Sequence, residues 1–143
     1  MKTLTFYFAL RSPYSALASD MVYEAFSSGA YEGTVNFRIA PFSNRNPDFL
    51  DPVSNPLKLK YMMRDLPRLY AAREIPLGFP DPFDIDFSIP ARMALAAQEN
   101  GVGVAFLRSI SLMRWSEGRN AADADTLLEA AERVGWAKES AQA

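Results

Sequence analysis

The sequence predicts an α/β fold: a strand–helix–strand unit followed by a longer, all-helical section. Three observations carry this prediction. Thr3-Leu4-Thr5-Phe6-Tyr7-Phe8 is β-branched and aromatic with no breaker. Tyr14, Leu17, Ala18, Met21, Val22 and Ala25 then recur at three- and four-residue spacing, and Val35, Phe37 and Ile39 alternate. From about Leu57 onward the apolar periodicity is helical throughout.

Each element has a local cause. Residues 3–8 form the first strand. Pro13 suits the first position of a helix over 13–27, Ser12 is a favoured cap before it, and the periodic run ends near Gly29. Two strands joined through one helix by short connections predict a parallel pair with a right-handed crossover. Phe6, Phe8, Val35, Phe37 and Ile39 are expected to pack on that helix. From Pro41 to Pro56 the chain is loop-like, rich in Asn, Asp, Ser and Pro.

A helix from about Leu57 carries Tyr61, Met62, Leu66, Leu69 and Tyr70, with Pro67 predicting a kink or break. The stretch Ile75–Phe83 contains Pro76, Pro80 and Pro82 and cannot continue a helix; its aromatics predict a packed, extended connection. Ser88 is placed to cap a helix ending near Asn100-Gly101. The next helix shows Phe106, Leu107, Ile110 and Trp115 on one stripe. The last starts near Asp123 or Asp125, turns Leu127, Leu128, Ala131 and Val134 inward, and stops around Gly135.

Composition narrows the function classes. At 143 residues the chain is about one domain's worth, and 49% apolar with 22% charged residues is ordinary for a soluble globular protein. A net charge of −2 gives no electrostatic case for nucleic acid or an anionic membrane surface. The absence of cysteine excludes disulfides, thiolate metal sites and dithiol exchange by the chain itself; the absence of histidine excludes histidine triads. Met1-Lys2-Thr3 leads directly into the strand, and no apolar stretch is long enough to span a bilayer. The expectation is a cytoplasmic protein without metal, nucleic-acid or membrane partners.

Ser12 holds a hydroxyl where a strand ends and a helix begins. There the free N–H groups and the helix dipole favour an anion, including a thiolate. Phe6-Tyr7-Phe8 followed by Ser12-Pro13-Tyr14-Ser15 resembles the start of the 2-hydroxychromene-2-carboxylate isomerases. These are grouped with kappa-class glutathione transferases and DsbA-like proteins on a thioredoxin fold with an inserted helical domain. Pro56, Lys58, Tyr61, Asp65 and Arg68 are similar to a second family run, and Pro76, Phe79-Pro80 and Arg92 to a third. The resemblance implies a thioredoxin-like βαβ half over 1–42 and a helical domain over 43–143. The closing ββα of that fold, with its cis-proline turn, is expected to be missing from this chain. A two-stranded sheet is marginal alone, so the helical section or a second copy in a homodimer is expected to cover it. Ala9-Leu10 also stand where the family carries an acidic residue.

The implied activity is a glutathione-dependent isomerase of an aromatic 2-oxo acid, or a transferase on the same site, in aromatic catabolism. The alternatives are a non-catalytic scaffold, or a fragment that binds glutathione weakly or not at all. Ser12 is either the hydroxyl that holds the glutathione thiolate or simply a helix cap. Asn55 and Pro56 hold glutathione or turn the chain, and Lys58 anchors a carboxylate or is solvated. Asp65 and Arg68 are spaced for an ion pair within one helix. Phe42 lines the substrate pocket or belongs to the core. Arg11 attracts an acidic substrate or is an exposed loop arginine.

Overall fold

β1 (Lys2–Phe8) and β2 (Gly33–Ile39) pair in parallel, with Phe6 opposite Phe37 and Phe8 opposite Ile39. The computed structural model describes residues 2–40, 48, 51–136 and 141. α1 (Pro13–Ser27) joins the strands, and α2 (Pro56–Ala72), α3 (Ser88–Glu99), α4 (Gly103–Trp115) and α5 (Ala124–Arg133) follow. This is the expected βαβ unit and helical section, a partial thioredoxin-like α/β fold.

Alternation along the strands gives the sheet two unlike faces. Thr3, Thr5 and Tyr7 share the outer face with Thr34, Asn36 and Arg38, all exposed. Phe6, Phe8, Phe37 and Ile39 face inward, but their main cover is α3 and α4, where the sequence predicts α1. Phe8, Leu10 and Phe37 share one cluster with Ala94, Ala97, Phe106, Leu107, Ile110 and Met113. Gly103 permits this approach: a Cβ there would lie 2.7 Å from both the Phe37 ring and the Gln98 backbone. Gln98 also accepts the Phe37 N–H at 2.7 Å, so a helix side chain satisfies a strand donor. α1 instead buries Ala16 and Leu17 with Leu66, Tyr70 and Trp115 in a second cluster.

The buried side of α1 is rotated from the predicted stripe. Met21 is 55% exposed, whereas Ser19 and Asp20 are buried. The cause lies far away in sequence. Asp20 accepts hydrogen bonds from Arg73 at 2.6 and 2.9 Å and from Arg108 at 2.6 Å. Arg73 also reaches Glu24, and Arg108 lies over the Tyr23 ring at 4.9 Å. One carboxylate thus ties α1 to the end of α2 and to α4.

α2 runs unbroken through Pro67, so the helix does not break there. A proline inside a helix costs about 3 kcal/mol. Leu66 and Tyr70, at 2% and 1% exposure, clamp the helix on either side of it. The Ile75–Phe83 connection is packed and extended as predicted. Gly78 N–H donates to the Trp115 carbonyl and Asp81 N–H to that of Gly118. Gly78 and Gly118 admit this pairing: a Cβ would approach the Ser116 and Phe79 carbonyl oxygens to 2.6 and 2.9 Å. The Asp81–Pro82 peptide is cis. Ser88 is not the cap of α3; the Asp86 carboxylate accepts the Ser88 N–H at 2.9 Å.

Burial alone would raise the Asp20 pKa, but the hydrogen bonds from Arg108 and Arg73 prevail and hold it below the ordinary carboxylate value. Its contribution is therefore complete above the unfolded value of about 3.9 and lost as pH falls through the folded pKa. Asp20→Asn should lower unfolding free energy by about 1–3 kcal/mol at neutral pH. Urea titrations of the variant should also show a shallower loss of stability below about pH 4 than wild type.

Candidate functional site

The turn between β1 and α1 is built by reciprocal hydrogen bonds. Ser12 has extended backbone angles, and its Oγ accepts the Ser15 N–H at 3.2 Å, with Pro13 opening the helix. Ser12 N–H donates to the Ala9 carbonyl at 2.9 Å, while Ser15 Oγ accepts the Ala9 N–H at 3.4 Å. Ser12 is therefore a helix cap. The cap uses a lone pair of Oγ, and among the described residues the hydroxyl proton has no acceptor. The half-buried Ser12 hydroxyl is left able to donate at the positive end of α1.

Two tyrosines fix that turn against α2. Tyr14 O–H donates to Asp65 Oδ2 at 3.0 Å, and buried Tyr70 O–H donates to the Pro13 carbonyl at 3.0 Å. Burial, then the Asp65 carboxylate, push Tyr14 up to about 12; burial also raises Tyr70. Both phenols stay protonated donors near neutral pH. The other Asp65 oxygen accepts from Arg68 at 3.0 Å, the ion pair expected from their spacing.

α2 starts with the same device as α1. Asn55 Oδ1 accepts the Lys58 N–H at 3.0 Å, and Pro56 opens the helix. Asn55 and Pro56 thus do what the turn reading requires, and half-buried Lys58 sits in the first helical turn. Ser12 and Asn55 each bond within their own helix start. Arg11 joins the two regions: its guanidinium lies 3.8 Å from Asp51, in the turn before α2, and 3.6 Å from Asp84. It also sits over the Phe83 ring at 5.3 Å, with only 16% of its side chain exposed. Arg11 is thus held in place, unlike an exposed loop arginine. Phe42 lies outside the described residues.

Sequence reasoning missed Arg114. In the last turn of α4 it is 1% exposed, and its Nη2 donates to the Phe83 carbonyl at 2.6 Å. The signal was present, because Arg114 follows Ile110 by four residues, where the apolar stripe of this helix continues.

The profile of the DSBA-like thioredoxin domain matches residues 3–143. The solved structure of a 2-hydroxychromene-2-carboxylate isomerase is similar in fold, with a TM-score of 0.67 and 22% identity. The match covers 99% of this chain and 70% of that one. No curated protein matches the sequence.

Because Ser12 caps α1, Ser12→Ala should lower unfolding free energy by about 0.5–2 kcal/mol in denaturant titrations. Ser12→Asp retains an acceptor for the Ser15 N–H and should stay close to wild type.

Proposed function

The chain belongs to the DSBA-like thioredoxin family, and from that membership we propose a glutathione-dependent isomerase of an aromatic 2-oxo acid. The carrying observation is the Ser12 hydroxyl: seated on the α1 N-terminus, half-buried, and with its proton uncommitted among the described residues. These features fit a bound thiolate, which accepts hydrogen bonds and is favoured by the positive helix end. Bound glutathione would supply the nucleophilic thiol that a cysteine-free chain lacks, adding reversibly to the conjugated acid so that the bond to be isomerised can rotate.

The chain's own residues have defined tasks in this reading. Ser12 donates to the thiolate and lowers the thiol's pKa. Tyr14, Tyr70 and Asp65 keep the Ser12 turn rigid. Lys58 and the α2 start with Asn55 and Pro56 face the cofactor's peptide portion. Arg11 attracts the acid's carboxylate, and Phe42 is assigned to its ring. A cytoplasmic setting, where thiols are kept reduced, suits this chemistry. A homodimer is part of the proposal, since among the described residues β1 pairs only with β2. No helix among them is long and apolar enough to cross a membrane.

A second reading, a non-catalytic scaffold that binds glutathione weakly, has one observation in its favour. Both Ser12 Oγ and Asn55 Oδ1 already serve as helix caps.

The two readings part at position 12. In the isomerase, Ser12→Ala raises the pKa of bound glutathione and lowers turnover by about one to two orders of magnitude. Ser12→Asp keeps the fold yet abolishes thiolate formation, because it sets a negative charge against the sulfur. Ultraviolet thiolate absorbance and glutathione calorimetry check this; thiolate formation at the wild-type level in Ser12→Asp would leave Ser12 a cap alone.

A further inference from the structure

α2 ends on a residue that its geometry disfavours. The position after the helix cap is Gly29 after α1, Gly101 after α3 and Gly135 after α5, with φ of 75°, 78° and 73°. After α2 it is Glu74, which holds the same left-handed backbone at φ 56°. A β-carbon strains that conformation, and a carboxylate at the negative end of a helix is repelled. The neighbouring Arg73 is engaged with Asp20 and Glu24. Among the described residues Glu74 has no ion pair or side-chain hydrogen bond to offset either cost. The turn itself needs neither this side chain nor its charge.

Glu74 lines a cavity of about 580 Å³ between the C-terminal half of α1, the turn after α2, α4 and the end of α5. Arg108 lines it from α4. Its Nε donates to Asp20 at 2.6 Å, and its guanidinium lies over the Tyr23 ring at 4.9 Å, so the group is fixed in place. Its two Nη groups make no hydrogen bond among the described residues. The side chain is 37% exposed, so these donors are within reach of a ligand. Arg108 and Glu74 share the cavity but do not pair with each other. Glu117 and Arg133, also on the wall, engage one another. Ile75, Pro76, Leu112 and Val134 give the wall an apolar stretch. Tyr23 is three turns of α1 beyond Ser12, about 16 Å along the axis, so this cavity is separate from the Ser12 turn.

We propose that this cavity binds a short apolar peptide as a zwitterion, with its ammonium on Glu74 and its carboxylate on the Nη edge of Arg108. Two opposite charges with unused bonding capacity in one cavity match a ligand that carries the complementary pair. The guanidinium edge takes a carboxylate at two points, and an ammonium brings three donors to Glu74. The apolar stretch receives the peptide's side chains, and the volume is that of a site for a small organic molecule rather than a single ion. The strained glutamate is then explained by its ligand, not by the turn. The site uses neither Ser12 nor glutathione and stands apart from the isomerase reading.

Leucyl-leucine is the probe, titrated into the full chain by calorimetry without glutathione. It should bind, with N-acetyl-leucyl-leucine and leucyl-leucine amide each at least about tenfold weaker, the scale of one charge-assisted hydrogen bond. Glu74→Gln should weaken the free dipeptide by about tenfold and remove the penalty for acetylation. Arg108→Gln should weaken it by a similar factor and remove the penalty for amidation. Glu74→Gly should melt above wild type yet bind weakly, because it relieves the backbone and deletes the carboxylate. Arg108 also holds Asp20, so should Arg108→Gln fail to fold, the two Glu74 variants decide the matter. No binding of leucyl-leucine, equal affinity for the blocked peptides, wild-type affinity in Glu74→Gln, or a lower melting temperature in Glu74→Gly overturns the proposal.

Discussion

Asp20 accepts from Arg73 on one side and Arg108 on the other, and the placement of three helices follows from it. A carboxylate buried to 6% exposure is unfavourable by itself, so α1 turns this face inward only where both guanidiniums arrive. Arg73 comes from the end of α2 and Arg108 from the middle of α4. Their meeting point lies two turns into α1. It sets the rotation of that helix, and with it the direction in which the first turn, Ser12 and Tyr14, faces.

Around the first turn the polar groups are arranged for rigidity. Tyr70 reaches the Pro13 carbonyl and Tyr14 reaches Asp65, so two phenols from opposite directions fasten α1 to α2. Their burial keeps both protonated, which fixes the donor direction of each bond. A chain with a net charge of −2 thus carries a locally positive region: the α1 start, Arg11 and Arg114. Global charge said nothing about this, because it is a property of placement.

What was legible in the sequence was local. Ser12-Pro13 and Asn55-Pro56 announced two helix starts through cap and proline chemistry, and Asp123 announced a third by accepting the Thr126 N–H. The strands declared themselves by composition and alternation. Asp65 and Arg68 paired within their helix as their spacing implied. Most of the misreadings were tertiary. Met21 fitted the periodicity of α1 but is exposed, because Asp20 beside it is held by residues about 50 and 90 positions away. Pro67 stayed helical because Leu66 and Tyr70 are packed around it. Ser88 was misread for a local reason: it is the first helical residue after Phe87, and its own N–H is taken by Asp86 two residues earlier. The sheet's cover came from α3 and α4, whose Gln98 and Gly103 gave no hint of a strand partner.

Arg114 and Asp20 show two treatments of buried charge in one small fold. Asp20 is hydrogen-bonded on both oxygens by cations, so its burial is offset by pairing, and its purpose is met within the chain. Arg114 has one neutral acceptor, three aromatic neighbours and a second arginine at the same ring. Methionine or leucine would fill that position of the α4 stripe at lower cost, as Ile110 and Met113 do beside it. Arg114 is thus held by one carbonyl and by rings, and its charge opposes that of Arg11 next to it. The deficit falls beside the Ser12 turn, on the same ring that Arg11 covers.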